Sequence, residues 1–168
     1  MKEKAPHKFA EKREETYEQL FLMRYYDIVQ LAREFERAVG KEKTFKIIGD
    51  LFDRMGVEMV KEMTEKEPVN TFEDFTASYK DALCSPLFSH ALTAVVEEET
   101  PKKLKLCVTE CLWAETFKKM NAQDLGYLIS CQPDFSMAKT FHKNIRMERT
   151  KTLMQNDDCC NHTYYWEE

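Results

Sequence analysis

The chain has 168 residues, a formal charge of −5 and a pI near 5.5, with 43% hydrophobic and 12% aromatic residues. That length suits a single domain, residues 1–168, with a proper core, and the apolar content excludes a disordered chain. The acidic balance, with no dominant basic face, excludes a nucleic-acid module.

The amino-terminal stretch MKEKAPHKFAEKREE is charged and leads into no apolar segment, so no export signal is read. The longest apolar run, residues 91–96, is too short to span a bilayer, and no membrane role is expected. Six cysteines without an export signal imply a reducing cytosol and free thiols, and none form a CxxC pair.

Residues 1–85 read as helical. Tyr17, Leu20, Phe21, Ile28, Leu31, Phe35 and Val39 recur at helical spacing, and Gly40 supplies a stop. Phe45, Ile48, Leu51, Phe52, Met55, Met59, Val60 and Met63 mark a second helix ending before Pro68, weakened slightly by Gly49 and Gly56. These apolar stripes are core or the surface of a homodimer. Thr71 with Asp74 three residues on resembles a capping box, and Phe72, Phe75, Tyr79 and Leu83 form the buried stripe of a third helix.

Pro86 opens the sheet-containing half, residues 86–168. From Ser89 the period falls to two, with Leu92, Ala94 and Val96 on one face. Thr100, Pro101, Lys102 and Lys103 make a turn, and Leu104, Leu106 and Val108 continue an antiparallel partner strand. The same alternation sets Glu110 on the apolar face at its end, either as a pocket base or as a partner for Arg149. Helical stretches over 112–120 and 124–131 follow. Pro133 breaks the second, and a short helix over 134–141 has Asp134 as its cap. Strands over 145–153 and 159–167 close the chain. The predicted fold is α+β: helices packed on an antiparallel sheet of about four strands, with a helical insertion between the two hairpin pairs.

Chemically suggestive residues crowd into 146–166. On a regular final strand Cys160, His162, Tyr164 and Trp166 share a face, which sets a thiol beside an imidazole. A neighbouring imidazolium lowers a thiol's pKa and turns it into a nucleophile. Asp157 and Asp158, at the mouth of that strand, suit a substrate with a delocalised cationic head. The same residues also fit a polar turn before a strand whose cysteine and histidine merely pack. Arg149 lies among apolar residues and needs a carboxylate, either a substrate's or that of Glu148, Glu110 or Asp158. Arg146 reads as a solvated residue. Cys131, at a helix junction, is an activated thiol or a small buried residue. Zinc is a minor alternative, because the Cys and His spacing is not that of a metal site. Phosphate-binding, dinucleotide, serine-hydrolase and zinc-protease motifs are absent, so no cofactor is expected.

The stretch from Asp124 through Cys131 to Asp134, the Arg149-Thr150 strand, and Asp157-Asp158-Cys159-Cys160-Asn161-His162 together resemble the L-2-amino-thiazoline-4-carboxylic acid hydrolase family. The match is best over the last third of the chain. Asn156 stands where that family usually has glycine, and Asn161 where it usually has aspartate. The resemblance implies ring-opening hydrolysis of a cyclic isothiourea that bears a carboxylate, giving a carbamoyl-cysteine. It implies that Arg149 anchors the substrate carboxylate and that Asp134 or Asp158 binds the amidinium. Attack then comes from Cys160, from Cys131, or from a water activated by His162. The alternatives are a sensor-like small-molecule-binding domain and a thiol redox or zinc-binding protein.

Overall fold

The computed structural model describes residues 14–167; the charged N-terminal stretch over 1–13 lies outside them. Helix α1 (Tyr17–Val39) begins at a capping box that periodicity alone does not reveal. The Thr16 hydroxyl accepts from the Gln19 amide at 3.2 Å, and the Gln19 side chain accepts from the Thr16 amide at 2.9 Å. Gly40, at φ +88°, lets the chain reverse at once into α2 (Lys41–Lys66). The two glycines expected to weaken α2 instead let other parts of the chain approach it. A Cβ on Gly56 would lie 2.9 Å from the Cγ and Sδ of Met137 on α7 (Pro133–Phe141).

Helix α3 (Phe72–Cys84) carries the expected box, with Thr71 Oγ1 accepting from the Asp74 amide and Asp74 accepting from the Thr71 amide. The expected switch to strand at Ser89 comes three residues later. Pro86 starts a short helix, α4 (Pro86–Ala91), because its fixed φ and missing N–H suit a first helical position.

Strands β1 (Leu92–Thr100) and β2 (Lys103–Cys111) form the expected hairpin around Pro101 and Lys102. A bulge then changes what the pocket receives. Thr93 pairs with Glu110 but Ala94 with Val108, so Thr109 is an extra residue and the side-chain alternation slips by one. Glu110 is therefore exposed and bonded to the Thr93 hydroxyl, not set on the apolar face. Cys111 takes its place.

Helices α5 (Leu112–Lys119) and α6 (Gln123–Gly126) follow, and α6 runs into one widened turn (Tyr127–Cys131) before α7. In that turn the Gln132 amide reaches the Tyr127 carbonyl at 2.8 Å, five residues back. Strand β3 (Ile145–Glu148) ends before Arg149, five residues short of the expected 145–153. The following chain is held by Asn161, whose Oδ1 accepts from the Thr150 and Lys151 amides at 3.0 and 2.7 Å. A 3-10 turn (Leu153–Gln155) and left-handed Asn156 (φ +69°) lead to β4 (Cys160–Trp166), which lies between β2 and β3. All three pairings of the four-stranded sheet are antiparallel, so the fold is α+β with helices before the sheet.

Two apolar clusters hold these layers together. One joins α1 to α5 and α6 through Phe21, Tyr25, Val29, Phe117 and Leu125; the other joins α3 and α7 to the sheet through Phe75, Leu104, Leu106, Ile145 and Tyr164. Fully burying such a side chain contributes about 1.5–3 kcal/mol, so the clusters fix the sheet against the helices. Both clusters border the cavity described next.

Candidate functional site

A cavity of about 430 Å³ lies between the helices and the inner face of the sheet. Its walls are mostly apolar, with Phe52, Met59, Leu83, Phe88, Ile129 and Met137 prominent. Cys131, Asp134, Arg149, Cys160 and His162 all reach it, so five of the eight expected site residues meet in one hollow.

Their arrangement differs from the expected nucleophile and base. Asp134 does not cap α7; its Oδ2 accepts from Arg149 Nη1 at 2.5 Å. Arg149 Nη2 donates to the Cys131 carbonyl at 2.8 Å, and the guanidinium packs over the Phe135 ring at 5.0 Å. None of the partners expected for Arg149 (Glu148, Glu110 or Asp158) is used. The Arg149 side chain is 3% exposed and that of Asp134 is 28%, so the carboxylate is the member a ligand can touch. Arg149 is a sealed brace, not a free anchor. Burial pushes the Asp134 carboxyl up to about 6 although Arg149 holds it down.

His162 is likewise not a cation. Burial, with Arg149 beside it, pushes its pKa down to about 3, so the ring is neutral near pH 7. Its Nε2 lies 3.5 Å from Arg149 Nη1, and its Nδ1 is buried with no partner among the described residues. The hydroxyl of Ser130, another cavity residue, is also buried and unpartnered. Buried polar atoms left this way favour a ligand or water that can bond them.

Two of the cavity thiols, Cys131 and Cys111, are protonated rather than poised. Burial raises Cys131 to about 12 and Cys111 to about 11. The Cys160 sulfur accepts from the Leu153 amide at 3.2 Å and lies 3.5 Å from the Thr152 hydroxyl. Cys131 is 3.9 Å from that same hydroxyl, so Thr152 bridges the two sulfurs. No hydrogen bond links Cys160 to His162 among the described residues.

Three expected residues lie elsewhere. Asp157 accepts from the Thr152 amide at 2.7 Å and ties the loop that carries Thr152. Asp158 is exposed and ion-paired with Lys151 at 2.9 Å, and Glu110 is turned outward by the bulge. Asn161 faces away from the cavity; besides the two amides it clamps, its Nδ2 donates to the Thr150 hydroxyl at 2.8 Å. A carboxylate there could only accept, so this last bond would need the Thr150 hydroxyl to turn and donate. Arg146, as expected, sits on the surface with Glu148 and Glu167.

Sequence reasoning missed Cys111, Thr152, Ser130, Tyr79 and Arg24. Tyr79 meets Tyr164 hydroxyl to hydroxyl at 3.2 Å, and burial raises its pKa to about 12. Arg24, an exposed cation of α1 in the cavity lining, has no carboxylate partner among the described residues. No three His, Cys, Asp or Glu side chains among the described residues are grouped to hold a metal ion. Among those residues no helix is long and apolar enough to cross a membrane.

An α+β domain with a mainly apolar cavity, one neutralised ion pair and two thiols that burial keeps protonated defines the class. The chain belongs to the L-2-amino-thiazoline-4-carboxylic acid hydrolase family, whose model matches residues 15–164 and so spans the helical half as well. No curated protein matches it. Solved structures share the fold, among them the following two. One is a trafficking protein particle complex subunit 3 from Naegleria fowleri covalently bound to palmitic acid (TM-score 0.51, 13% identity, 90% of this chain and 95% of that one). The other is the phenol-responsive sensory domain of the transcription activator PoxR with phenol (TM-score 0.51, 9% identity, 92% and 76%).

Proposed function

We propose that this chain binds a small, largely apolar organic acid, with its body in the cavity and its carboxylate at Arg24. The observation behind this reading is the lining itself: apolar walls around about 430 Å³, an interior ion pair already neutralised, and a guanidinium, that of Arg24, with no carboxylate partner among the described residues. A hydrophobic hollow with a few polar groups is the usual form of a small-molecule site. The two proteins of like fold described with palmitic acid and with phenol agree with an apolar occupant.

Titration followed by Trp113 fluorescence, a cavity residue, tests it. Medium-chain and aryl carboxylic acids are expected to bind, and Arg24→Gln to weaken them about tenfold while leaving the matching alcohols unchanged. Failure of every apolar acid and alcohol to bind overturns the proposal.

A second reading, hydrolysis of a cyclic isothiourea, is favoured by one feature. The Asp134 carboxyl, near 6, is suited to take and return a proton around neutral pH. Asp134 would take a proton from water as the water oxygen bonds to the ring carbon between nitrogen and sulfur. It would return that proton to the sulfur as the carbon–sulfur bond breaks, while the proton left on the added hydroxyl passes to the ring nitrogen as the carbonyl forms, leaving a carbamoyl group and a free thiol. Cysteine attack is not needed in this scheme. Turnover of 2-amino-thiazoline-4-carboxylate, lost at least a hundredfold in Asp134→Asn, would favour this reading over simple binding.

A further inference from the structure

We infer that the outer face of the α1–α2 hairpin is covered by a second copy of this chain, in a two-fold contact that makes a four-helix layer. Eleven of the fourteen exposed large apolar side chains among the described residues lie on these two helices. Met23, Leu31 and Phe35 on α1 and Ile47, Leu51 and Met55 on α2 recur at four- or eight-residue intervals, each 42–62% exposed. They form one outward face opposite the buried residues of the same helices, Phe21, Tyr25 and Val29 on α1 and Gly49, Gly56 and Val60 on α2.

The charges identify the occupant as a second copy. Asp27 lies in the α1 stripe between Met23 and Leu31, and Arg54 lies two turns beyond Ile47 on the same side of α2. Both are exposed, and neither has an ion-pair partner among the described residues. Asp27 precedes the turn at Gly40 by thirteen residues and Arg54 follows it by fourteen, so the two stand level along the antiparallel hairpin. A two-fold axis in the plane of the face, running along the helices, lays the α1 of each copy over the α2 of the other at the same height. Each Asp27 then meets the other copy's Arg54, and the pair forms twice, as an isologous contact requires. Met55 also lines the cavity, so the contact runs beside the ligand site, although the inference does not depend on what that site binds.

Sedimentation equilibrium of the full chain tests this. The expected mass is twice 19.9 kDa at micromolar concentration. Leu31→Glu with Leu51→Glu should give a monomer with unchanged far-UV circular dichroism, because both side chains are solvent-facing in the single chain. Asp27→Arg or Arg54→Asp alone should weaken the dimer at least tenfold, and the two together should restore it. A wild-type monomer, including one that binds phospholipid vesicles through this face, overturns the inference. So does a dimer indifferent to the leucine changes, or a charge pair whose swap neither weakens nor rescues.

Discussion

Asp134 and Arg149 meet at 2.5 Å across the gap between α7 and the end of β3, the guanidinium sealed and the carboxylate facing the cavity. The pair organises the polar corner of the hollow. It neutralises the interior, takes up the Cys131 carbonyl, and sets Arg149 against His162.

Breaking that pair should be costly in either direction. Arg149→Met leaves a carboxylate in an apolar cavity, and Asp134→Leu leaves a guanidinium at 3% exposure. Each is expected to destabilise the fold by about 3–5 kcal/mol, whereas replacing both with the same residues should cost less than the sum of the two. Urea denaturation of the two single variants and the double measures this. Strict additivity would mean the two groups are energetically independent.

His162 should make the protein acid-labile. Its folded pKa, about 3, lies below the unfolded value near 6.5, so the unfolded chain binds the extra proton between those limits. Its contribution is fully present above about pH 6.5 and is lost as pH falls toward 3, with an upper limit on the order of 5 kcal/mol. Asp134 acts in the opposite sense. Its carboxyl is raised from 3.8 to about 6, so its contribution declines as pH rises through that window. His162→Gln is therefore expected to move the acid-unfolding midpoint to lower pH, read by circular dichroism across pH 3–7. An unmoved midpoint would show that the imidazole is solvated.

Much of this architecture can be read from residue spacing, because local rules decide it. The stripe from Tyr17 to Val39, the Thr71–Asp74 box and the turn at Pro101 depend on neighbours within a few residues. The shared inward face of Cys160 and His162 follows from strand alternation, and both reach the cavity. Alternation failed on β2, where one extra residue at Thr109 exchanged Glu110 for Cys111. It also failed beyond Glu148, where the Asn161 side chain takes the amides a longer strand would have used. Arg149 found its acid fifteen residues away on a helix, a pairing that only the packing of α7 against β3 creates. Asp158 illustrates the same limit, since a carboxylate at a turn is drawn to any nearby lysine, here Lys151.

Thiol chemistry separates buried from accessible sulfurs. Cys84 is exposed, Cys107 and Cys159 are half-buried, and Cys131 and Cys160 are buried. With an aromatic disulfide reagent at pH 8, Cys84 should react first and Cys131 and Cys160 only on unfolding, since burial keeps Cys131 protonated. Mass mapping of the labelled peptides gives the order. Rapid labelling of Cys131 in the folded chain would restore the activated-thiol mechanism set aside above.

Two glycines should differ sharply when given a methyl group. A Cβ on Gly56 meets Met137 Cγ and Sδ at 2.9 Å, atoms of a flexible side chain that can turn away, so Gly56→Ala should change stability by less than about 1 kcal/mol. A Cβ on Gly126 meets Phe117 Cγ at 2.5 Å and Met154 Sδ at 2.6 Å, and the Phe117 ring is fully buried in the first cluster. A rigid ring in a packed core cannot yield without moving α5, so Gly126→Ala should cost about 2–3 kcal/mol. Thermal melts of the two variants compare them directly. Equal losses would mean that α6 can slide away from α5, and that the cluster is looser than its contacts imply.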